Sequence, residues 1–202
     1  MPTQALRLPT EARQAEIVAA ALLLVQNTSP DAITTTDLAG ALGLSQGAIF
    51  KHFPSKDAVW LAAMNWVAEH LMRNLLHAAE QGASPVEALR CVFLAHIDFV
   101  VHHPGVPRLI LHELQKPSDS LLKQQVRSLM TGYRQLLLRL LEACVKAGDS
   151  SPSLDRHAAA TFLMGLVQGL VMQSMLSGQL SSMRLQAEPV FNLFLHGIVK
   201  TP

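Results

Sequence analysis

The chain has 202 residues, half of them hydrophobic, 5% aromatic and 15% charged, with a formal net charge of +1. That hydrophobic content excludes a disordered chain, and two cysteines exclude a disulfide framework. The near-zero charge excludes a basic coat for non-specific nucleic-acid binding, so any such contact must come from a local surface. Leu, Ala, Val and Met dominate the apolar content, which favours helices over sheets.

Residues 1–16 carry Arg7, Glu11, Arg13 and Glu16 and lack the apolar stretch of a signal peptide. Thr161–Leu176 is the most apolar window. Gln168 and Gln173 interrupt it, and it falls short of the roughly 20 residues that span a bilayer. These features read as a soluble, reduced, cytoplasmic protein.

In chain order, Glu11 to about Gln26 places Ile17, Ala20, Ala21, Leu24 and Val25 at helical spacing, and Asn27–Asp31 breaks it. Thr34-x-x-Asp37 has the form of a capping box opening a short helix to about Leu42, which Gly43 ends in a left-handed conformation. Ser45 is placed to cap a second short helix ending near Pro54, and Ser55 a long one reaching Gln81, stopped by Gly82. Ser84-Pro85 opens the next helix, which stops at His103-Pro104. Further helices are expected over about 107–116, 119–146, 154–177 and 188–199. The third of these is apolar nearly all round, as a helix buried on several sides would be. The fold class is therefore all-α, divided into residues 1–54, a three-helix domain, and 55–202, a helical bundle, with the helix from Ser55 belonging to both.

Two short helices joined by Gly43-Leu44 form a helix-turn-helix. Leu38, Ala39, Leu42, Leu44, Ile49 and Phe53 have the spacing to face inward. Gln46, Gly47, Ala48, Phe50 and Lys51 remain outward, and small or amide side chains of this kind can enter a major groove. On this pattern alone an ordinary helical hairpin stays open.

The motif Ile33-Thr34-(x)3-Leu38-Ala39-(x)3-Gly43-Leu44-Ser45-(x)-Gly47-(x)-Ile49-Phe50-(x)-His52-Phe53-(x)-Ser55-Lys56-(x)2-Val59 resembles the DNA-binding signature of the TetR (tetracycline-repressor) family. The resemblance implies that Thr35 and Thr36 touch phosphate or base edges, and that Ser45, Gln46, Gly47, Ala48 and Lys51 lie on the recognition helix. It also implies that His52 and Lys56 contact the DNA backbone. Phe50 stands where the family usually has Tyr. Lacking the hydroxyl, it either touches a thymine methyl or packs inward. Residues 1–66 hold four cationic side chains (Arg7, Arg13, Lys51, Lys56) against five carboxylates (Glu11, Glu16, Asp31, Asp37, Asp57). Helix N-termini, hydroxyls and a few cations must then supply the phosphate affinity.

The resemblance further implies a C-terminal half that encloses a ligand cavity and forms a homodimer through its last two helices, so that two recognition helices meet a pseudo-palindromic operator on double-stranded DNA. Gly165 and Gly169 permit close approach of a partner helix, and Phe191, Leu195 and Ile198 give the final helix an apolar stripe. Trp66, Phe93, His96, Met130, Tyr133, Met164, Gln168 and Met172 are the cavity candidates. His96, Tyr133 and Gln168 would be sparse polar groups for a largely apolar small-molecule effector. The nine histidines form no metal-ligand spacing. Asp98–His102 reads as an i,i+4 pair, and Cys91 and Cys144 as structural thiols. No nucleophile elbow, P-loop, dinucleotide fingerprint or zinc signature is present, so neither an enzyme nor a cofactor is expected. A helical carrier of an apolar molecule or lipid is the rival reading, and it leaves Ser45–Lys56 unexplained.

Overall fold

A computed structural model describes residues 9–198; residues 1–8, on which part of the signal-peptide reading falls, and residue 199, the expected end of the last helix, lie outside them. The helices among the described residues are α1 (Thr10–Leu24), α2 (Thr35–Ala41), α3 (Gln46–Phe50), α4 (Lys56–Gln81), α5 (Pro85–His102), α6 (Gly105–Gln115), α7 (Leu121–Ala147), α8 (Arg156–Ser177) and α9 (Ser182–Ile198). These residues form two compact units built from non-consecutive segments. One holds residues up to Val67 together with Gly105–Gln125; the other holds Ala68–Pro104 and residues from Val126 on. α4 runs from the first into the second.

In the first unit α1 packs on α2 and α6, and α2 on α3. Ile17, Ala21, Val25, Ile33, Leu38, Ala39, Ile49, Phe53 and Val59 are buried, while Leu42 and Leu44, expected to close this core, are only half-buried. Gly105 opens α6 two residues before the expected Pro107. A Cβ there would stand 2.5 Å from both the Leu22 carbonyl oxygen and Val25 Cγ1, so only glycine lets α6 start against α1.

In the second unit α5 packs on α8 and α9, which also pack on each other. Phe93 meets Phe191 at 5.4 Å between ring centroids, and Phe191 meets Phe194 at 5.8 Å. α7 buries Val126, Leu129, Tyr133, Leu136, Leu137, Leu141 and Cys144 at helical spacing. Burial pushes the Cys144 thiol up to about 11, leaving it protonated and inert. The expected Asp98–His102 side-chain pair does not form through the Asp98 carboxylate. That carboxylate accepts from Arg184 at 2.5 Å, and His102 Nδ1 meets the Asp98 backbone oxygen instead.

α8 lies within two residues of the expected 154–177, and α9 starts about six residues earlier than expected. α8 is capped by Asp155, whose carboxylate accepts from the His157 and Ala158 amides, and it runs 22 residues to Gly178. By length and composition it could cross a bilayer, unlike the shorter window read from sequence. α9 begins at Ser182, with Pro189 inside it rather than at its start. An interior proline costs about 3 kcal/mol; burial of Met183 and Ala187 offsets part of this and holds the extra turns.

Candidate nucleic-acid interface

The scaffold of the helix-turn-helix is fixed by short-range bonds. Thr34 Oγ1 accepts from the Asp37 amide at 3.1 Å, and the Asp37 carboxylate accepts from the Thr34 amide at 2.8 Å, which completes the capping box. The Thr34 hydroxyl and amide hold the Asp37 carboxyl below its ordinary range. Gly43 takes φ +64°, the Leu44 amide donates to the Ala39 carbonyl at 2.8 Å, and the Gly43 amide to Gly40. This doubly bonded C-terminal turn aims the chain into α3. Ser45 occupies the N-cap position of α3 in extended backbone, but its side chain makes no capping bond. Ser55 does cap α4, accepting from the Ala58 amide at 3.1 Å.

The expected reading face stands outward. Thr36, Ser45, Gln46, Gly47 and Lys51 are exposed, and Thr35, Ala48 and His52 half-buried. Phe50 is 48% exposed, so the inward-packing alternative does not hold. A Cβ on Gly47 would meet nothing within 4 Å, so the protein's own packing does not require glycine there. Sequence spacing gave no sign that Gln46 Nε2 donates to Thr35 Oγ1 at 2.7 Å, tying α3 to the first residue of α2.

Two expected backbone contacts are placed differently. Lys56 Nζ donates to the carbonyls of Asp31 and Ile33 at 3.0 Å each and Pro30 at 3.4 Å, so its three N–H groups clasp the α1–α2 loop to α4. His52 accepts from Gln14 through its backbone oxygen, and its Nδ1 is buried without a partner.

The first unit also holds a cavity of about 490 Å³ lined by Trp60, Leu61, Leu109, His112, Glu113 and Lys116, among others. Its walls come from segments some fifty residues apart, which no local pattern connects. Glu113 is buried. Burial alone would raise its carboxyl, but bonds from Lys116 and Ser120 outweigh that and hold it low.

The effector candidates divide. Phe93, Tyr133 and Met164 are buried in the second unit, Met130 is half-buried, and Trp66 falls in the first unit. The His96 and Tyr133 rings meet edge to face with centroids 5.0 Å apart. His96 Nδ1 and the Tyr133 hydroxyl are both buried without a partner. Burial lowers His96 to about 4, so it is neutral at physiological pH, and raises the Tyr133 hydroxyl far above its usual range. Gln168 and Met172 are exposed instead of lining an interior, on the same outer side of α8 as Gly165 and Gly169. Phe191, expected on an outward stripe, is fully enclosed in its own unit, and Leu195 is half-buried. The side of α8 and α9 that does face out carries Phe162, Met172, Leu176, Leu185 and Leu193, the last three between 72% and 82% exposed. Among the described residues, no group of three or more His, Cys, Asp or Glu is placed to hold a metal ion.

Comparison with known proteins gives a consistent picture. The sequence model described as bacterial regulatory proteins, tetR family, matches residues 17–63, and that of the tetracyclin repressor-like C-terminal domain matches residues 113–188. The nucleoid occlusion factor SlmA of Vibrio cholerae is 29% identical over 162 residues, which span 78% of this chain and 81% of that protein. Among solved structures, the fatty acid degradation regulator FadR of Bacillus halodurans superimposes with a TM-score of 0.82 at 19% identity, covering 96% of this chain and 98% of that one. The ketosteroid regulator KstR2 of Mycobacterium tuberculosis gives 0.74 at 21% identity, covering 94% and 96%. FadR of Bacillus subtilis, solved in complex with stearoyl-CoA, gives 0.79 at 18% identity, covering 91% and 98%. At these identities the structures establish a shared fold.

Proposed function

The chain belongs to the tetR family of bacterial regulatory proteins and is a DNA-binding transcriptional regulator; on that premise we propose a homodimeric, cytoplasmic repressor that leaves a pseudo-palindromic operator when a small, largely apolar effector binds its second unit. The observation that carries this reading is the outward face of α3. Gln46, Gly47, Phe50 and Lys51 stand exposed on a scaffold rigidified by the Thr34–Asp37 box and the Gly43 turn. Thr36 and Ser45 add hydroxyls beside them for phosphate.

Two half-sites one helical turn apart, about 34–36 Å, need two recognition helices and hence two copies. The outer side of α8 and α9 suits the second copy. Phe162, Met172, Leu176, Leu185 and Leu193 form an exposed apolar surface, and Gly165 and Gly169 let a helix approach. Packing on one side and an apolar outer side on the other explain the composition of α8 without a bilayer. We assign no catalytic role to the chain.

The effector reading rests on His96 and Tyr133. Tyr133 is buried and His96 half-buried, both are neutral, and His96 Nδ1 and the Tyr133 hydroxyl are enclosed without a hydrogen-bond partner, which suits a ligand carrying one or two uncharged polar atoms on an apolar body. One neighbour of this fold was solved with stearoyl-CoA, whose stearoyl chain is apolar although its coenzyme A part is charged. A ligand acts only if it favours one of two states, such as two tilts of α4, the helix common to both units.

The test is a mobility shift with duplexes from the protein's own upstream region, repeated with extracted metabolites. A retarded band that metabolites release supports the proposal, and the absence of any DNA complex overturns it. The relatives named nucleoid occlusion factor favour a second reading, a DNA-binding protein that acts on the nucleoid as a whole and not at one promoter. A genome-wide binding map separates the two: few promoter sites for the first, many dispersed sites for the second.

A further inference from the structure

We infer that Phe50 is a specificity-determining residue that reads the C5 methyl group of one thymine in each operator half-site. The inference rests on the DNA-binding reading above and adds to it the chemical feature that this side chain recognises.

Three observations converge on it. Phe50 is a large apolar side chain left 48% exposed, on a helix whose Ile49 is buried and closes the core without it. It lies four residues from Gln46, so the two share one face of α3, and Gly47 between them presents open space where any other residue would carry a Cβ. That gap lets the α3 backbone come close to base edges. Finally, Phe50 has neither donor nor acceptor, so it can bond neither to a phosphate oxygen nor to the polar edge of a base. The thymine methyl is the one major-groove feature that an apolar ring recognises by contact, and it is absent from the other three bases. Thr35 acts beside it as a positioning residue. Its hydroxyl holds the Gln46 amide nitrogen at 2.7 Å and so fixes the polar neighbour of the ring.

The experiment uses the full chain and duplexes selected by it from a random pool. In a selected duplex each thymine is replaced in turn by deoxyuridine, which keeps base pairing and removes only the methyl group. The expected result is one position per half-site at which replacement weakens binding, by about fourfold for one methyl-sized contact. Phe50→Ala, with folding checked by its urea-unfolding midpoint, should bind the thymine and uracil forms equally. Uniform binding of every uracil duplex by the unmodified protein overturns the inference while leaving DNA binding in place. So does a response that persists in Phe50→Ala, because another residue then reads the methyl. Failure to select any DNA overturns the DNA-binding reading itself, and this inference with it.

Discussion

Two surfaces of this protein expose glycine beside large apolar side chains, and they differ in what surrounds them. On α3, Gly47 and Phe50 sit among Gln46, Lys51, Thr36 and Ser45. On α8, Gly165 and Gly169 sit among Phe162, Met172 and Leu176, with Leu185 and Leu193 of α9 also exposed. At all three glycines an added Cβ would meet nothing of its own protomer within 4 Å. A lone ring in a polar setting suits a hydrated groove lined with base edges. A broad apolar surface with two backbone-deep gaps suits another protein surface, where water is excluded. The contrast teaches that the same local signature, an open glycine next to an exposed apolar residue, takes its meaning from the polarity around it.

The largest effect should come from breaking the second surface. Gly169→Leu adds a side chain where the protomer has room, so each copy should fold normally while its partner is held off. Losing the dimer turns a two-site contact into a single one, at roughly 10²–10⁴-fold in operator affinity. Sedimentation velocity and operator titration check both halves. A variant that stays dimeric means that α8 does not face a second copy.

Next comes a test inside the second unit. His96 is pushed down to about 4 by burial, against about 6.5 when unfolded. The unfolded chain therefore takes up the proton first. The stability conferred by the neutral ring is complete above about pH 6.5 and declines as pH falls toward 4. The change attributable to this group is about 3 kcal/mol. His96→Leu should flatten the dependence of urea unfolding on pH between 7 and 4.5, and an unchanged slope would show that water reaches this ring.

On the α3 surface, Gln46→Ala and Lys51→Ala should differ in kind. Loss of a base contact costs about 1–3 kcal/mol on the operator and relaxes specificity at one base step. Loss of a phosphate contact weakens all DNA alike and reduces the salt slope by about 1. Equal losses for Gln46→Ala on operator and random DNA would remove its reading role.

The two surfaces were also unequally legible in the sequence. The helix-turn-helix is written in local code: Thr34 with Asp37, Gly43, Ser55 and the spacing of Leu38, Ile49 and Phe53 each act over a few residues. Every one of these is found where the pattern puts it. The α8–α9 surface is not written locally. A helix apolar nearly all round does not declare which side meets its own core, so Gln168 and Met172 were expected inside and Phe191 outside, the reverse of their placement. Lys56 misleads for a related reason. Its type and position suit a phosphate, but the carbonyls that occupy it come from a loop about 25 residues earlier in the chain.

The smallest effect sharpens the α3 surface further. Gln46 is joined to Thr35 at 2.7 Å, a bond between residues 11 apart that arises only when α2 and α3 are packed. If the bond holds Gln46 ready for a base, Thr35→Val, nearly the same shape without the acceptor, frees a side chain that must then be ordered on binding. Immobilising such a side chain costs about 0.5–1.5 kcal/mol, so operator affinity should fall by about two- to tenfold. Stability should hardly move, since both groups are near solvent and water replaces the lost bond. If instead Gln46 must leave Thr35 to reach DNA, Thr35→Val removes a competing bond and affinity should rise. A double-mutant cycle with Gln46→Ala decides the matter. In the Gln46→Ala background the effect of Thr35→Val should vanish if Thr35 acts through Gln46. A loss that persists there would mean that the Thr35 hydroxyl touches DNA directly.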